Sequence, residues 1–426
     1  MHRSRPRSRR RMAIVAVVVV LLALLVVDPS LVAPHSVDET TQKDPDDVRL
    51  VTPSSESDAK LWPFTSRRKS FESLTLPVNA VVQGDSSRVR SQLRYQQDGQ
   101  WEQMRNEWQG IDEEGEHVVV SGGEVTWRET TGATRYIYVS APGSEGGWTT
   151  ETAQLHDGTY FGSRYHLRLY EGGTGSGTWT AIQAHHEHWD WFRLRHTVGS
   201  LATAQHHLET EYFGTPYTAD VTRERYANGG ISDADGWVSI VDLRPLSAVG
   251  GLSVGLLLFG SFVGQRTWQT TIDQLTTWLS DELGQRSALL FACLLSLPVA
   301  VRSGSILAET TVSALPVKLV AGTFYLVLAV GIPVVALVFP RGGEPLDWAG
   351  LAVLGLGLGF VLDYQSIGIE VLPIAVVLHR LAVLGVIGFL AASASQRTAE
   401  ELWNRSLTIG LTMWLCVLVW PLLGGL

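Results

Sequence analysis

Cysteine is nearly absent: 426 residues hold two, Cys293 and Cys416, both in apolar runs of the second half. No disulfide framework and no thiolate metal site is available to the polar first half. Lysine is almost as scarce, four residues beside twenty-nine arginines, and the formal net charge is −9. An acidic chain lacks the basic face that nucleic-acid binders present, so that class of partner is excluded. Carboxylates keep a surface hydrated at high salt, and the composition looks haloarchaeal. Absent too are a Gly-rich phosphate loop, a G-x-S-x-G elbow and an H-E-x-x-H helix.

What is present divides the chain in two. The mean hydropathy of +0.10 and the 18% charged residues average a polar first half with an apolar second half. Six arginines open the sequence, followed by an unbroken apolar run from Met12 to Val27. At about 1.5 Å per residue that run covers roughly 24 Å, against a membrane core of roughly 30 Å. Snorkelling arginines make up the difference. The arginine cluster stays cytoplasmic and sends the following chain outward. Leu31-Val32-Ala33 is a poor small-x-small cleavage site, which favours an uncleaved signal anchor over a removed signal peptide. Residues 28 to 60 are rich in Asp, Ser and Pro without apolar period and read as a flexible tether.

Residues 61 to 245 read as one α+β extracytoplasmic domain. The expected elements are a strand over Leu74 to Val82 and a helix capped by Asp85-Ser86-Ser87 with Val89 and Leu93 apolar. A polar helix near Trp101 to Trp108 follows, then short strands at His117 to Val120, Glu124 to Arg128 and Arg135 to Val139. Arg164 to Tyr170 alternates, with Tyr165, Leu167 and Leu169 on one face. GGTGSG (Gly172 to Gly177) turns the chain, Trp179 to Arg195 returns as a long strand, Leu201 to Tyr212 is helical and Gly236 to Leu243 is a last strand.

Residues 246 to 426 carry apolar runs near 246–264, 287–301, 313–339, 348–362, 369–393 and 406–425, an all-α transmembrane bundle of about six helices. With the anchor, residues 1 to 27, this makes about seven spans. Arg266, Arg286, Arg341, Arg397 and Arg405 fall on the expected cytoplasmic loops, against Arg302 and Lys318 outside, so the charge rule supports the same orientation. Trp268, Ile272, Leu275, Leu279 and Leu283 share the face of a helix lying in the interface. The chain is thus expected in the plasma membrane, multi-pass, with residues 28 to 245 outside.

Seven of twelve histidines lie between residues 164 and 211. His186 and His188 share a strand face about 6.6 Å apart, and Asp190 has the same parity. The hairpin brings His166 and Arg168 near, and His207 and Glu211 share a helix face. His186, His188 and His207 are therefore candidate ligands for zinc or another divalent metal, or members of a His/Glu acid–base pair. The competing reading is a solvated polar sheet face with aromatic neighbours in the core. In the membrane half, His379-Arg380 falls near the middle of the sixth span, with Asp363 and Glu370 at the loop before it and Glu309 ahead of the fourth. Ionisable groups at that depth face a partner or a cavity, so either an ion pair inside the bundle or a proton path accounts for them.

The soluble stretch resembles the LssY C-terminal domain over roughly residues 76 to 243. The segments that carry the resemblance are PVNAVVQGDSSRVRSQL, ATRYIYV, SRYHLRLYE and AQHHLETE. That family's Arg/His-rich strand and later HH pair fall here on His166, Arg168, His206, His207 and Glu209, which the resemblance marks as candidate ligand-binding residues. Tyr165 stands where the first histidine of the strand motif is usual, and HHEHWDW lies outside the pattern. The resemblance implies an α+β domain and no particular reaction.

Three functions follow as expectations: a surface domain binding a ligand or an envelope or membrane protein partner, a metal- or histidine-dependent hydrolase of an envelope substrate, or a small-solute transporter. All three place the chain among membrane lipids.

Overall fold

The computed structural model describes residues 48–95, 101–103, 134–140, 146–243, 282–312, 315–369, 372–397 and 404–423. The expected anchor at 12–27, the span at 246–264, most of the interfacial helix and the strands at 117–120 and 124–128 lie outside them, as does Glu370.

In chain order the soluble part holds β1 (Lys60–Leu61), β2 (Phe64–Ser66), β3 (Leu74–Pro77), β4 (Ala80–Gln83), α1 (Ser86–Tyr95), β5 (Glu102–Gln103), β6 (Tyr136–Ser140), β7 (Gly147–Thr150), β8 (Ala153–Gly158), β9 (Ser163–Gly172), β10 (Trp179–Asp190), β11 (Arg195–Ser200), α2 (Ala202–Tyr212), β12 (Thr218–Arg225) and β13 (Trp237–Leu243). They form an α+β unit of two sheets. The smaller sheet runs β1-β6-β2-β3 with β7 beside β6; the larger runs β12-β13-β4-β10-β9-β8-β5 with β11 beside β10. Among the described residues only β4 and β13 pair in parallel.

Strand β10 is the axis of this unit. All twelve of its residues are buried, because both faces and both edges are covered. Its even-numbered residues Ile182 and Ala184 join Leu167, Leu169, Val89, Leu93, Leu208 and Tyr212 in a core beneath α1 and α2. Its odd-numbered Trp179 and Ala181 meet Leu61, Ile137 and Tyr170 from the smaller sheet. The period-two pleat therefore sends alternate residues into two different cores. Asp85 caps α1, its carboxylate accepting from Arg88 N at 2.9 Å.

Several local expectations need correction. Leu74 to Val82 is two strands in two sheets, broken at Asn79, whose side chain replaces ladder bonds by joining Ala184 N, Ala184 O and Leu201 O. The polar helix expected from Trp101 begins instead as β5, paired with β8. The long strand expected to reach Arg195 stops at Asp190, whose carboxylate accepts from Phe192 N and Arg193 N to start a turn. Leu194 closes that turn at φ 49°. Residues 48 to 60, read as tether, pack on the domain: Val51 bridges Leu61 and Ala59 is buried. Strand β12 is mostly polar and exposed along most of its length, with Ala219 and Val221 its apolar residues, so it shows no sustained apolar period.

Among its described residues the second part holds five helices: α3 (Glu282–Thr311), α4 (Val317–Val338), α5 (Pro345–Ser366), α6 (Ile374–Ser395) and α7 (Arg405–Leu422). All five are long and apolar enough to cross a membrane. Leu307, Leu326, Leu378, Leu415 and Trp420 are exposed on their outer surfaces, as a lipid-facing surface requires. Of the seven expected spans, these are the five that fall among the described residues. Helices α3 and α5 approach closely at Gly355 and Gly359. A Cβ there would lie 2.8 Å from Phe291 O and 2.7 Å from Leu295 O, the small-residue contact that membrane helices use. Arg302, expected on an outer loop, is buried inside α3. His379 and Arg380 stand in the second turn of α6 rather than mid-span, because the helix starts only after Pro373.

Candidate functional site

The two parts are joined where β10 ends. Tyr160, Phe161, Trp189, Trp191 and Phe192 belong to the same apolar cluster as Leu294, Val301, Leu328, Phe360 and Val383 of the helices. Five charged groups fasten this seam. Arg380 Nη2 donates to Asp190 Oδ1 at 2.6 Å, Nε donates to the Tyr364 hydroxyl at 3.1 Å, and the guanidinium lies 4.3 Å from the Phe192 ring centre. Arg302 grips Asp363 with two parallel bonds of 2.8 and 2.9 Å, and its Nη1 donates to the carbonyls of Phe161 and Trp189. Glu309 accepts from the amides of Tyr160 and Phe161. Ser163 Oγ donates to Ile367 O at 2.7 Å. A small cavity lies here among Asp190, Phe192, Arg302, Asp363, Tyr364 and Arg380.

Asp190 is buried, which raises a carboxyl pKa, but the Arg380 guanidinium outweighs burial and holds it at about 2. His188, two residues back on the same face, is fully buried with its ring edge-on to Tyr364. Among the described residues neither of its ring nitrogens has a hydrogen-bond partner. Burial depresses it to about 3, so it is neutral.

Higher on β10, the odd-numbered face is polar. Gln183, His185 and Glu187 stand there, with Arg164 and His166 opposite on β9 in the register His185↔His166 and Glu187↔Arg164. Glu187 is the centre. Arg164 Nε donates to Oε1 at 2.7 Å, His185 Nε2 is 3.1 Å from Oε2, and His166 Nδ1 is 3.9 Å from Oε1. Gln154 Oε1 lies 3.1 Å from His166 Nε2. An amide oxygen only accepts, so that nitrogen carries the hydrogen and Nδ1 turns a lone pair toward Glu187. Burial drives His166 well below its ordinary value and lowers His185 as well. Burial alone would raise Glu187, but His196 and the Arg164 guanidinium outweigh it and keep the carboxylate ionised. The result is two neutral imidazoles facing one carboxylate. His166, His185 and Glu187 present ligand atoms within 4.8 Å of one another.

The residues singled out from the sequence are distributed between the two faces of this sheet. His186 and His188 do share the even-numbered face, but not one site. His186 lies against Tyr165, ring centres 4.8 Å apart, and burial lowers it to about 4. His207 of α2 stacks on the other side of the same tyrosine at 3.9 Å. His188 points into the helix seam. Of the candidate ligand-binding set, His166 and Arg168 lie on the opposite face from α2, with Arg168 paired to Glu151 at 3.1 Å. His206 is exposed, and Glu209 is clamped by Arg223 through bonds of 2.6 and 2.9 Å. The sheet separates His166 and Arg168 from His206, His207 and Glu209. His379 donates from Nε2 to Val417 O and offers Nδ1 to Arg380 Nη1 at 2.7 Å.

Sequence reasoning missed Glu187, Gln154, Arg164 and Arg302. Parity carried the signal for the first: His185 and Glu187 are two apart on the strand, as His186 and His188 are. Compared with models of protein families, with curated proteins and with solved structures, the chain matches none.

Proposed function

We propose that this protein presents a ligand-binding α+β domain on the outer side of the plasma membrane, docked on its own helix bundle rather than swung from a tether. One observation carries the reading. Strand β10 holds His185 and Glu187 in the polar sheet face and, three residues on, the Asp190 carboxylate that pairs with Arg380 of α6. A ligand gripped at the upper end of that strand pulls on an element whose lower end is bonded to the membrane helices.

Charge supports the outward placement. The soluble domain meets the C-terminal halves of α3 and α5 and the start of α6, through Glu309, Asp363 and Arg380. At the other ends of the helices stand Arg286, Arg341, Arg397 and Arg405, the side that the positive-inside rule assigns to the cytoplasm. The resemblance to the LssY C-terminal domain implies an α+β domain and adds no reaction. Against a transporter reading stands the packing of Trp191 and Phe192 on Phe324 and Phe360 of the helices.

Membrane-impermeant maleimide tests the orientation. In a chain with Cys293→Ser and Cys416→Ser, Phe213→Cys is expected to label on intact cells, and Arg341→Cys only after permeabilisation. The reverse pattern overturns the proposal.

A further inference from the structure

We propose that His166 Nδ1, His185 Nε2 and Glu187 Oε2 form a divalent metal site of the zinc class, on the sheet face opposite α2. A tetrahedral ion with bonds of about 2.0–2.1 Å sets its ligand atoms about 3.3 Å apart. Glu187 Oε2 lies 3.1 Å from His185 Nε2, its Oε1 lies 3.9 Å from His166 Nδ1, and the three residues offer ligand atoms that all lie within 4.8 Å of one another.

Three further features fit a metal. The strand pairing places His166 directly across from His185, so two of the ligands are fixed by the sheet, more rigidly than a loop fixes them. Each ligand has an outer partner of the kind that orients a metal-bound group. Gln154 Oε1 accepts from His166 Nε2–H and leaves Nδ1 free to ligate. Gln183 Nε2 stands 3.1 Å from His185 Nδ1; a half-turn of that amide brings its oxygen there, moves the imidazole hydrogen to Nδ1 and frees the Nε2 lone pair for the ion. Arg164 stays on Oε1 of Glu187 and leaves Oε2 for the ion. Finally, the donors are two imidazoles and one carboxylate, which suit zinc above calcium or magnesium. Three protein ligands leave a fourth position for water or substrate, the arrangement of catalytic rather than structural zinc. The inference does not depend on which side of the membrane the domain faces.

The test is a zinc titration of the full chain in detergent after removal of metals with a chelator. One equivalent of Zn²⁺ is expected per chain, lost or weakened at least 100-fold in His166→Ala and in His185→Ala. Gln154→Ala should weaken it about 10–100-fold, as loss of an outer-shell partner does, and His206→Ala should leave it unchanged. Replacing zinc with Co²⁺ gives a visible absorption band that reports four-coordination directly. If His185→Ala fails to fold, as judged by circular dichroism, the near-isosteric Glu187→Gln takes its place with the same expectation. A folded wild-type chain that binds no zinc at micromolar concentration overturns the proposal. So does zinc binding that survives His166→Ala and His185→Ala but disappears in His186→Ala or His207→Ala.

Discussion

The Asp190 carboxylate, at the end of a strand of the soluble domain, accepts a 2.6 Å hydrogen bond from Arg380, 190 residues later on a membrane helix. Neither charge reaches solvent. The guanidinium completes its bonds with Tyr364 and His379, so every part of it has a use that leucine or lysine cannot supply. Arginine at this depth is costly, and its partner comes from outside the helix bundle.

Removing one member of such a pair strands the other. Asp190→Ala should destabilise the chain by about 3–5 kcal/mol, and Asp190→Ala with Arg380→Met should recover part of the loss. Thermal unfolding in detergent, followed by tryptophan fluorescence, measures both. A single variant as stable as the wild type would show that the pair does not hold the two parts together.

Arg302 should not tolerate lysine. Its fork makes two parallel bonds to Asp363 and spends Nη1 on two carbonyls of the soluble domain, a geometry that an ammonium cannot reproduce. Arg302→Lys is expected to cost about 1.5–3 kcal/mol and to speed hydrogen exchange at the amides of Tyr160 and Phe161. Unchanged exchange there would count against the seam as described.

Two glycine substitutions separate helix packing from helix propensity. Gly355→Ala puts a methyl 2.8 Å from Phe291 O and should destabilise by about 1–3 kcal/mol. Gly385→Ala, which meets nothing within 4 Å, should be neutral or stabilising by up to about 1 kcal/mol. Equal effects in unfolding experiments would remove the close contact of α3 with α5.

Acid should loosen the metal-free protein well above the range of ordinary carboxylates. Burial holds His188 at about 3, and His186 and His196 at about 4, against about 6.5 unfolded. Between about pH 6.5 and 4 the unfolded chain therefore binds more protons. Stability is full above that window and falls as pH drops through it, by up to about 1.4 kcal/mol per pH unit for each histidine. Asp190 extends the loss from 3.8 down to about 2. Chemical unfolding at pH 7.5, 6 and 5 measures the slope; a flat profile would mean these imidazoles are not buried.

Much of this was legible along the chain. Among the described residues the apolar runs of the second half correspond to helices because a membrane accepts little else, and the alternation of Arg164 to Tyr170 grouped Tyr165, Leu167 and Leu169 on the face that packs beneath α1 and α2. The candidate site was half legible. His166 was chosen, and within the expected metal set His186 and His188 line up on one face and then diverge, one to Tyr165 and one to Tyr364. Polar β12 and the break at Asn79 left no periodic trace.

Composition and periodicity alone determined the division into a polar α+β part and a lipid-facing part, because burial in water and in lipid select residues by simple transfer energies. Which residues meet was decided only by tertiary structure. Pairing Glu187 with His166, Arg164 and His185 needs the register of β9 on β10, and pairing Arg380 with Asp190 needs the whole domain seated on the bundle. Such contacts depend on distances between elements far apart in sequence, and no local pattern records them.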